Sequence, residues 1–135
     1  MKISTKGTYA LRIMTDMAIK PEEMWTASML AEKNNLSAKY LEKIISQLLK
    51  AGLLTSHRGS SGGYKLSRSP KDISLGQIIL ATEGRLQTVS CVSLGTKCDL
   101  MPKCLTATVW AKLDNIVNDY LNTTSLQDVV SGNIK

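Results

Sequence analysis

The stretch that decides the fold runs from Thr26 to Leu66 and reads TASMLAEKNNLSAKYLEKIISQLLKAGLLTSHRGSSGGYKL. Its first part predicts a short helix over residues 27–33, a tight connection at 34–37 and a longer helix over 38–51. Ser37 is a good N-cap for the longer helix because its hydroxyl can accept from a free backbone amide. A short helix, a turn and a longer amphipathic helix are the pattern of a helix-turn-helix motif.

The longer predicted helix has two distinct faces. Apolar residues recur at helical spacing, at Leu41, Ile44, Ile45 and Leu48. Polar and charged residues lie largely on the other side, at Lys39, Lys43, Ser46, Gln47 and Lys50. One face is therefore expected to pack on a core, which leaves the other free to contact a partner.

The second part of the stretch predicts a hairpin. Residues 53–57 and 64–66 favour strands, and the glycine-rich sequence Arg58-Gly59-Ser60-Ser61-Gly62-Gly63 lies between them. A hairpin directly after a helix-turn-helix is a wing, although a plain surface hairpin has the same pattern. Arg58 enters a loop with few side chains, from which an arginine can reach into a DNA minor groove.

Helices are predicted on both sides of this stretch. The first covers residues from about 5 to 19, a second covers 75–82, a long one covers 105–121, and a short one covers 126–130. The expected fold class is mainly α with a small β wing, a winged helix-turn-helix followed by a long C-terminal dimerisation helix.

Two regions are predicted along the chain. Residues 1–73 form the winged helix-turn-helix DNA-binding domain, and residues 74–135 form a dimerisation region with a cysteine loop at 85–104. The apolar face of the long helix is too wide for the remaining chain to cover, so we expect a homodimer. Its twofold symmetry would suit a pseudo-palindromic site on double-stranded DNA.

The positive charge lies in the N-terminal half. Residues 1–71 have 12 Lys and Arg against 5 Asp and Glu, a net charge of +7, whereas residues 72–135 have a net charge of −1. Such asymmetry favours a nucleic-acid partner, although a solvated basic surface would give the same numbers.

Composition argues against other classes of protein. No apolar run is long enough to span a bilayer, and the first residues lack the apolar block of a signal peptide, so we expect a cytoplasmic protein without a membrane partner. The single histidine, His57, falls in the wing, and no nucleophile–base constellation accompanies it. We therefore expect no enzymatic activity.

Three cysteines occur within 14 residues, with the spacing Cys91-x6-Cys98-x5-Cys104. Thiolates are soft ligands that favour iron–sulfur clusters, zinc or copper(I). The intervals are unlike the two-residue spacing of zinc ribbons. A reversible thiol switch, or cysteines without function, would also fit the residues alone.

Four stretches together resemble a known family. They are the opening residues 1–7 with Tyr9-Ala10-Leu11-Arg12, the helix start Leu36-Ser37…Tyr40-Leu41-Glu42, the wing Arg58-Gly59…Gly62-Gly63-Tyr64, and the cysteine segment running into Leu105-Thr106…Trp110. The chain is similar here to the IscR/NsrR/CymR-type winged-helix regulators of bacteria. Their members are dimeric transcription regulators. Many sense iron–sulfur, nitric oxide, iron or redox status through a cluster, and others lack the cluster and respond to a protein partner or metabolite.

The resemblance implies which residues bind DNA. Ser37, Lys39, Tyr40 and Glu42 match the start of the helix that enters the major groove, and Arg58 and Gly59 match the minor-groove elements of the wing. Lys6, Lys43 and Lys65 are expected to neutralise phosphates, which fix register without reading sequence. Simple solvation of each lysine is the alternative.

The resemblance also implies an iron–sulfur cluster, 2Fe–2S or 4Fe–4S, held by Cys91, Cys98 and Cys104. Its fourth ligand is unknown. Some members have a histidine three residues after the last cysteine, where this chain has Ala107. Others use an aspartate near the N-terminus of the partner subunit, where this chain has Thr8. The expected function is cluster, redox or iron sensing, and the alternative is a cluster-free regulator controlled by a protein partner, a metabolite or thiol oxidation.

Overall fold

The computed structural model describes residues 2–89 and 104–134. The described elements are α1 (Thr5–Ile19), α2 (Ala27–Asn34), α3 (Ala38–Lys50), β1 (Leu54–His57), β2 (Gly63–Leu66), α4 (Leu75–Glu83), α5 (Ala107–Thr123) and α6 (Leu126–Ser131). A short 3-10 helix covers Pro70–Asp72. The predicted fold class, mainly helical with a two-stranded wing and a long C-terminal helix, is confirmed.

Capping side chains begin both helices of the helix-turn-helix, and Ser37 caps the longer one as predicted. The Thr26 hydroxyl accepts from the Met29 amide at the start of α2, and the Ser37 hydroxyl accepts from the Tyr40 amide at the start of α3, each at 3.2 Å. Asn35 ends α2 in the left-handed conformation, with φ of 53°. Asparagine tolerates this region better than most residues, so the chain reverses within three residues.

The wing is fixed to the rest of the fold through its second strand. Strands β1 and β2 pair antiparallel from Leu54 opposite Leu66 to His57 opposite Gly63. Trp25 adds a β-bridge to Tyr64, with N···O distances of 3.0 and 2.7 Å. Gly63 has φ of +145°, and a Cβ there would overlap the Trp25 carbonyl, so only glycine permits this approach.

One aliphatic core joins both ends of the chain. Its fully buried large side chains are Ile13, Met14, Met17, Leu30, Leu41, Ile44, Leu48, Leu53, Ile73, Ile78 and Leu126. Two backbone hydrogen bonds of 2.9 Å, from Leu75 to Thr124 and from Leu126 to Ile73, hold α6 beside the start of α4. The C-terminal helix α6 is therefore packed into the same core as α1 and α3.

The long helix α5 differs in its limits and burial. It covers residues 107–123, two residues later at each end than the predicted 105–121. It begins later because Leu105 and Thr106 form a turn. It ends later because the Thr123 hydroxyl donates back to the Asp119 carbonyl. Among the described residues of α5, only Asp114 is buried. Its large apolar side chains are 37% to 56% exposed, at Val109, Trp110, Leu113, Ile116 and Tyr120. Within the described residues, no helix is both long and apolar enough to span a bilayer.

The position of Leu126 gives a test of this shared core. Leu126→Ala should lower the free energy of unfolding by about 2–5 kcal/mol, because the side chain is fully buried and its removal leaves a cavity. Val130→Ala on the same helix is the control, since Val130 is 36% exposed. Urea denaturation measures both, and equal losses would show that α6 does not belong to the core.

Candidate nucleic-acid interface and cysteine site

An open groove lies along the exposed face of α3. Lys6 at the start of α1 lines it together with five residues of α3, and its volume is about 430 Å³. The lining residues are Lys6, Lys39, Glu42, Lys43, Ser46 and Gln47. Three lysines face one glutamate there, so the groove has a net positive charge that suits a phosphate backbone.

Tyr40 and Ser37 are engaged within the protein. The half-buried Tyr40 ring meets the Tyr9 ring edge to face, with centroids 6.3 Å apart, and the Arg12 guanidinium lies 5.4 Å from the Tyr9 centroid. The Ser37 hydroxyl caps α3. Tyr40 therefore holds the start of α3 against α1, and Ser37 fixes where α3 begins, so both influence how the lysines of the groove are presented.

The wing residues form a second surface. Arg58 and Gly59 are exposed where β1 ends, and Lys65 is half-buried on β2, opposite Thr55. Gly59 has φ of +108°, a conformation that L side chains rarely adopt. None of the three lines the α3 groove. Apart from Ser37 and Tyr40, the predicted DNA-binding residues thus fall on two surfaces, the groove and the wing.

Two further groove residues were not predicted as site residues. Ser46 and Gln47 lie one turn beyond Glu42 and Lys43 on the polar side of α3. The Gln47 side-chain oxygen is buried and has no hydrogen-bond partner among the described residues. Helical spacing from Lys39 and Lys43 is a signal in the sequence that would have placed both in the groove.

Cys104 lies three residues before α5 begins and is partly buried. Its Sγ is 3.2 Å from the Thr106 hydroxyl. Hydrogen bonds from the side chain and backbone of Thr106, and from the backbone of Ala107, lower the pKa of the Cys104 thiol, and burial opposes them only partly. The thiolate, which is the form that binds metals and reacts with oxidants, is therefore more accessible at Cys104 than at an ordinary cysteine.

The other positions considered for cluster ligands are Cys91, Cys98, Thr8 and Ala107. Cys91 and Cys98 lie outside the described residues. Thr8 is exposed on α1 and donates to the Ser4 carbonyl at 3.1 Å, while Ala107 is the first residue of α5. Among the residues that the structure describes, no group of three or more His, Cys, Asp or Glu side chains is placed to hold a metal ion.

A family model described as an iron-dependent transcriptional regulator, Rrf2, matches residues 3–132. The chain belongs to the Rrf2 family. IscR of Vibrio vulnificus is 35% identical over 134 residues, which are 98% of this chain and 79% of that protein. The family resemblance expected from the sequence is therefore confirmed.

Solved structures agree with this assignment. CymR (YrzC), the global cysteine regulator of B. subtilis, superposes with a TM-score of 0.81 at 36% identity, covering 98% of each chain. The oxidised form of Staphylococcus aureus CymR superposes with a TM-score of 0.76 at 34% identity, covering 96% of each chain. Rrf2 proteins are DNA-binding transcription regulators and not enzymes, and this holds for the present chain.

The thiol of Cys104 offers a chemical test. Thr106→Val should raise the pKa of Cys104, because it removes the hydroxyl that stabilises the thiolate, and alkylation by iodoacetamide at pH 7 should slow severalfold. The measurement uses a Cys91→Ser, Cys98→Ser background, so that Cys104 alone reacts. Thr108→Val is the control, since the Thr108 hydroxyl donates to the Leu105 carbonyl instead. Equal alkylation rates in both variants would contradict the stated cause.

Proposed function

We propose that this Rrf2 protein is a homodimeric, sequence-specific DNA-binding transcription regulator that works in the cytoplasm and senses cluster, redox or iron status. The observation that carries the DNA-binding part is the basic groove, where Lys6, Lys39 and Lys43 meet on the exposed face of an amphipathic α3. The observation that supports the sensing part is the stabilised thiolate of Cys104 at the start of α5.

In this proposal α3 enters the major groove. Glu42 is exposed one turn after the Ser37 cap, where a carboxylate can accept from a cytosine amino group. Lys6, Lys39 and Lys43 contact phosphates, and these contacts supply affinity and register. Ser37 and Tyr40 fix the start of the helix, and the Ser37 hydroxyl is also free to donate to a phosphate.

The wing supplies the second contact. Arg58 lies at the end of β1 on a hairpin anchored by Trp25, and it reaches toward the minor groove while Gly59 lets the backbone come close. Lys65 on the neighbouring strand contacts a phosphate. Groove and wing together would cover one half-site on double-stranded DNA.

The exposed face of α5 supports dimerisation. Five large apolar side chains on one helix remain 37% to 56% exposed, from Val109 to Tyr120. A contiguous apolar face of this kind marks an interaction surface, and a second copy of the chain is the partner that also doubles the DNA-reading units. The resulting twofold axis suits a pseudo-palindromic operator.

Cys91, Cys98 and Cys104 would hold a 2Fe–2S or 4Fe–4S cluster. The donor set fits, because three thiolates are the ligands such clusters prefer and Cys104 is already poised to ionise. Ala107 offers no donor atom, so the fourth ligand is not the histidine of some relatives, and we assign it to a small molecule, water or thiol. When bound, the cluster would supply a centre that is assembled when iron is supplied and removed by oxidants.

A cluster-free regulator is the second candidate. The similarity to CymR, including a structure of its oxidised form, favours it specifically. In this case Cys104 acts as a redox-responsive thiol, or the cysteines are silent and a protein partner or metabolite controls DNA binding. The same lowered pKa of Cys104 would serve thiol oxidation.

DNA binding by the groove is tested with Lys43→Ala. The variant should weaken binding to a duplex selected by the wild-type protein, and the slope of log affinity against log salt should fall by about one for each lost phosphate contact. Lys112→Ala is the control, because Lys112 is an exposed lysine of α5 outside the groove. An unchanged slope in Lys43→Ala would remove that lysine from the proposed interface.

The cluster is tested by analysing iron and sulfide in protein purified without oxygen and then reconstituted. We expect two or four irons per chain with matching sulfide and an absorbance band near 400 nm, and Cys104→Ser should lose most of both. Wild-type protein that binds no iron would exclude the cluster and favour the cluster-free candidate.

A further inference from the structure

Glu83, the last residue of α4, lies against the start of α1. Its carboxylate accepts from the Ser4 backbone amide at 2.6 Å and from the Ser4 hydroxyl. Backbone amides at a helix N-terminus carry partial positive charge and stabilise a carboxylate there. Gly7 permits the approach, because a Cβ at that position would overlap the Glu83 side chain. The end of α4 is therefore joined to the first turn of α1.

A second junction lies at the other end of the same segment. The Asp114 carboxylate of α5 accepts from the Thr88 backbone amide at 2.7 Å. One turn later, the Asn118 side chain donates to the Leu86 carbonyl at 3.0 Å and to the Asp114 carbonyl at 2.7 Å. Two side chains of α5 thus hold residues 86–88 along the helix.

Burying the Asp114 carboxylate costs stability. The residue is 3% exposed, and its Oδ2 has no hydrogen-bond partner among the described atoms. The neighbouring Thr88 hydroxyl is likewise buried without a partner. A buried carboxylate costs stability unless its charge is compensated, and within the described residues no cation is paired with Asp114. What the side chain does in the described structure is to accept from the Thr88 amide, and this contact holds the segment.

The two junctions connect the surfaces that the proposed function uses. Lys6, which lines the α3 groove, follows Ser4 by two residues. Asp114 and Asn118 lie on the helix that exposes the apolar dimer face. Thr88 precedes Cys91 by three residues in the sequence. The segment thus contacts the DNA-reading unit and the dimer helix, and it directly precedes the cysteines in the sequence.

We propose that residues 84–88 are a relay clamped at both ends, by Glu83 to α1 and by Asp114 and Asn118 to α5. The relay couples the state of the adjoining cysteines to the position of α1, and through it the α3 groove, and to the position of α5. What the relay transmits rests on the proposed function, whereas the clamp itself does not depend on a cluster.

The first experiment uses the iron-free, full-length protein and amide hydrogen exchange. Asp114→Leu releases the α5 end, and the exchange of the Gly7 and Thr8 amides, which bond to Ser4 at the other end, should rise about fivefold or more. Glu83→Ala releases the α1 end, and the exchange of the Thr88 amide should rise similarly. Each variant is thus measured at the junction that it does not touch.

Matched variants separate coupling from general loosening. Asp114→Asn keeps an acceptor for Thr88 and should behave as wild type, and so should Asp119→Asn, which changes an exposed carboxylate on the same helix. Asp114→Leu removes a buried charge but also leaves the Thr88 amide without its acceptor, so the thermal midpoint is measured to check that the variant remains folded. Unchanged exchange at the distant junction in both releasing variants would overturn the relay, as would equal effects from Asp114→Asn.

The second experiment adds iron and sulfide. In the wild type, reconstitution should protect amides in both α1 and α5, whereas Asp114→Leu should lose the response of α5 and Glu83→Ala that of α1. Wild-type responses in both variants would overturn the relay. If the wild-type protein takes up no iron, the cluster proposal fails by itself, and the iron-free measurement still decides whether the relay exists.

Discussion

Burial of one complete face of α1 organises the described structure. Ala10, Ile13, Met14 and Met17 are at most 1% exposed, and α2, α3, α4, α6 and β2 all contact this helix. Fully burying an isoleucine or methionine side chain contributes roughly 1.5–3 kcal/mol, and three such residues of α1 are buried, which makes α1 the reference against which the other helices are positioned. The orientation of α3, and with it the basic groove, follows from how α3 packs on α1 through Leu41, Ile44 and Tyr40.

Much of the fold could be read from local signals. Ser37 was identifiable as a cap because it offers a side-chain oxygen where an apolar period starts, and the structure has it in that role. The 3-10 helix at Pro70–Asp72 was missed, since a three-residue turn has no periodicity to detect. The predicted limits of α5 were two residues too early at each end. The burial of Leu126 depends on a backbone bond to Ile73, a tertiary contact that spacing alone does not encode.

Less of the candidate site than of the fold could be predicted from local sequence signals. The polar face of α3 can be recognised from helical spacing. No local pattern predicts that Lys6 lies beside it, and Lys6 was expected to contact phosphate only from the family resemblance. The junctions of Glu83 with Ser4 and of Asp114 with Thr88 join residues 79 and 26 positions apart. Carboxylates at such distances look like ordinary surface charges in a sequence, and only their burial and partners distinguish them.

The chemistry of Cys104 suits two different uses. Cys104 is stabilised as a thiolate by Thr106 and Ala107, yet a thiolate is the reactive form for both metal binding and oxidation. The relatives do not separate the two uses, since an IscR at 35% identity and a CymR at 36% stand equally near. What separates them is the number of sulfurs that act on one centre. A cluster needs all three thiolates at once, whereas oxidation needs only one thiol and a co-reactant, so the decisive property is the joint dependence of iron binding on Cys91, Cys98 and Cys104.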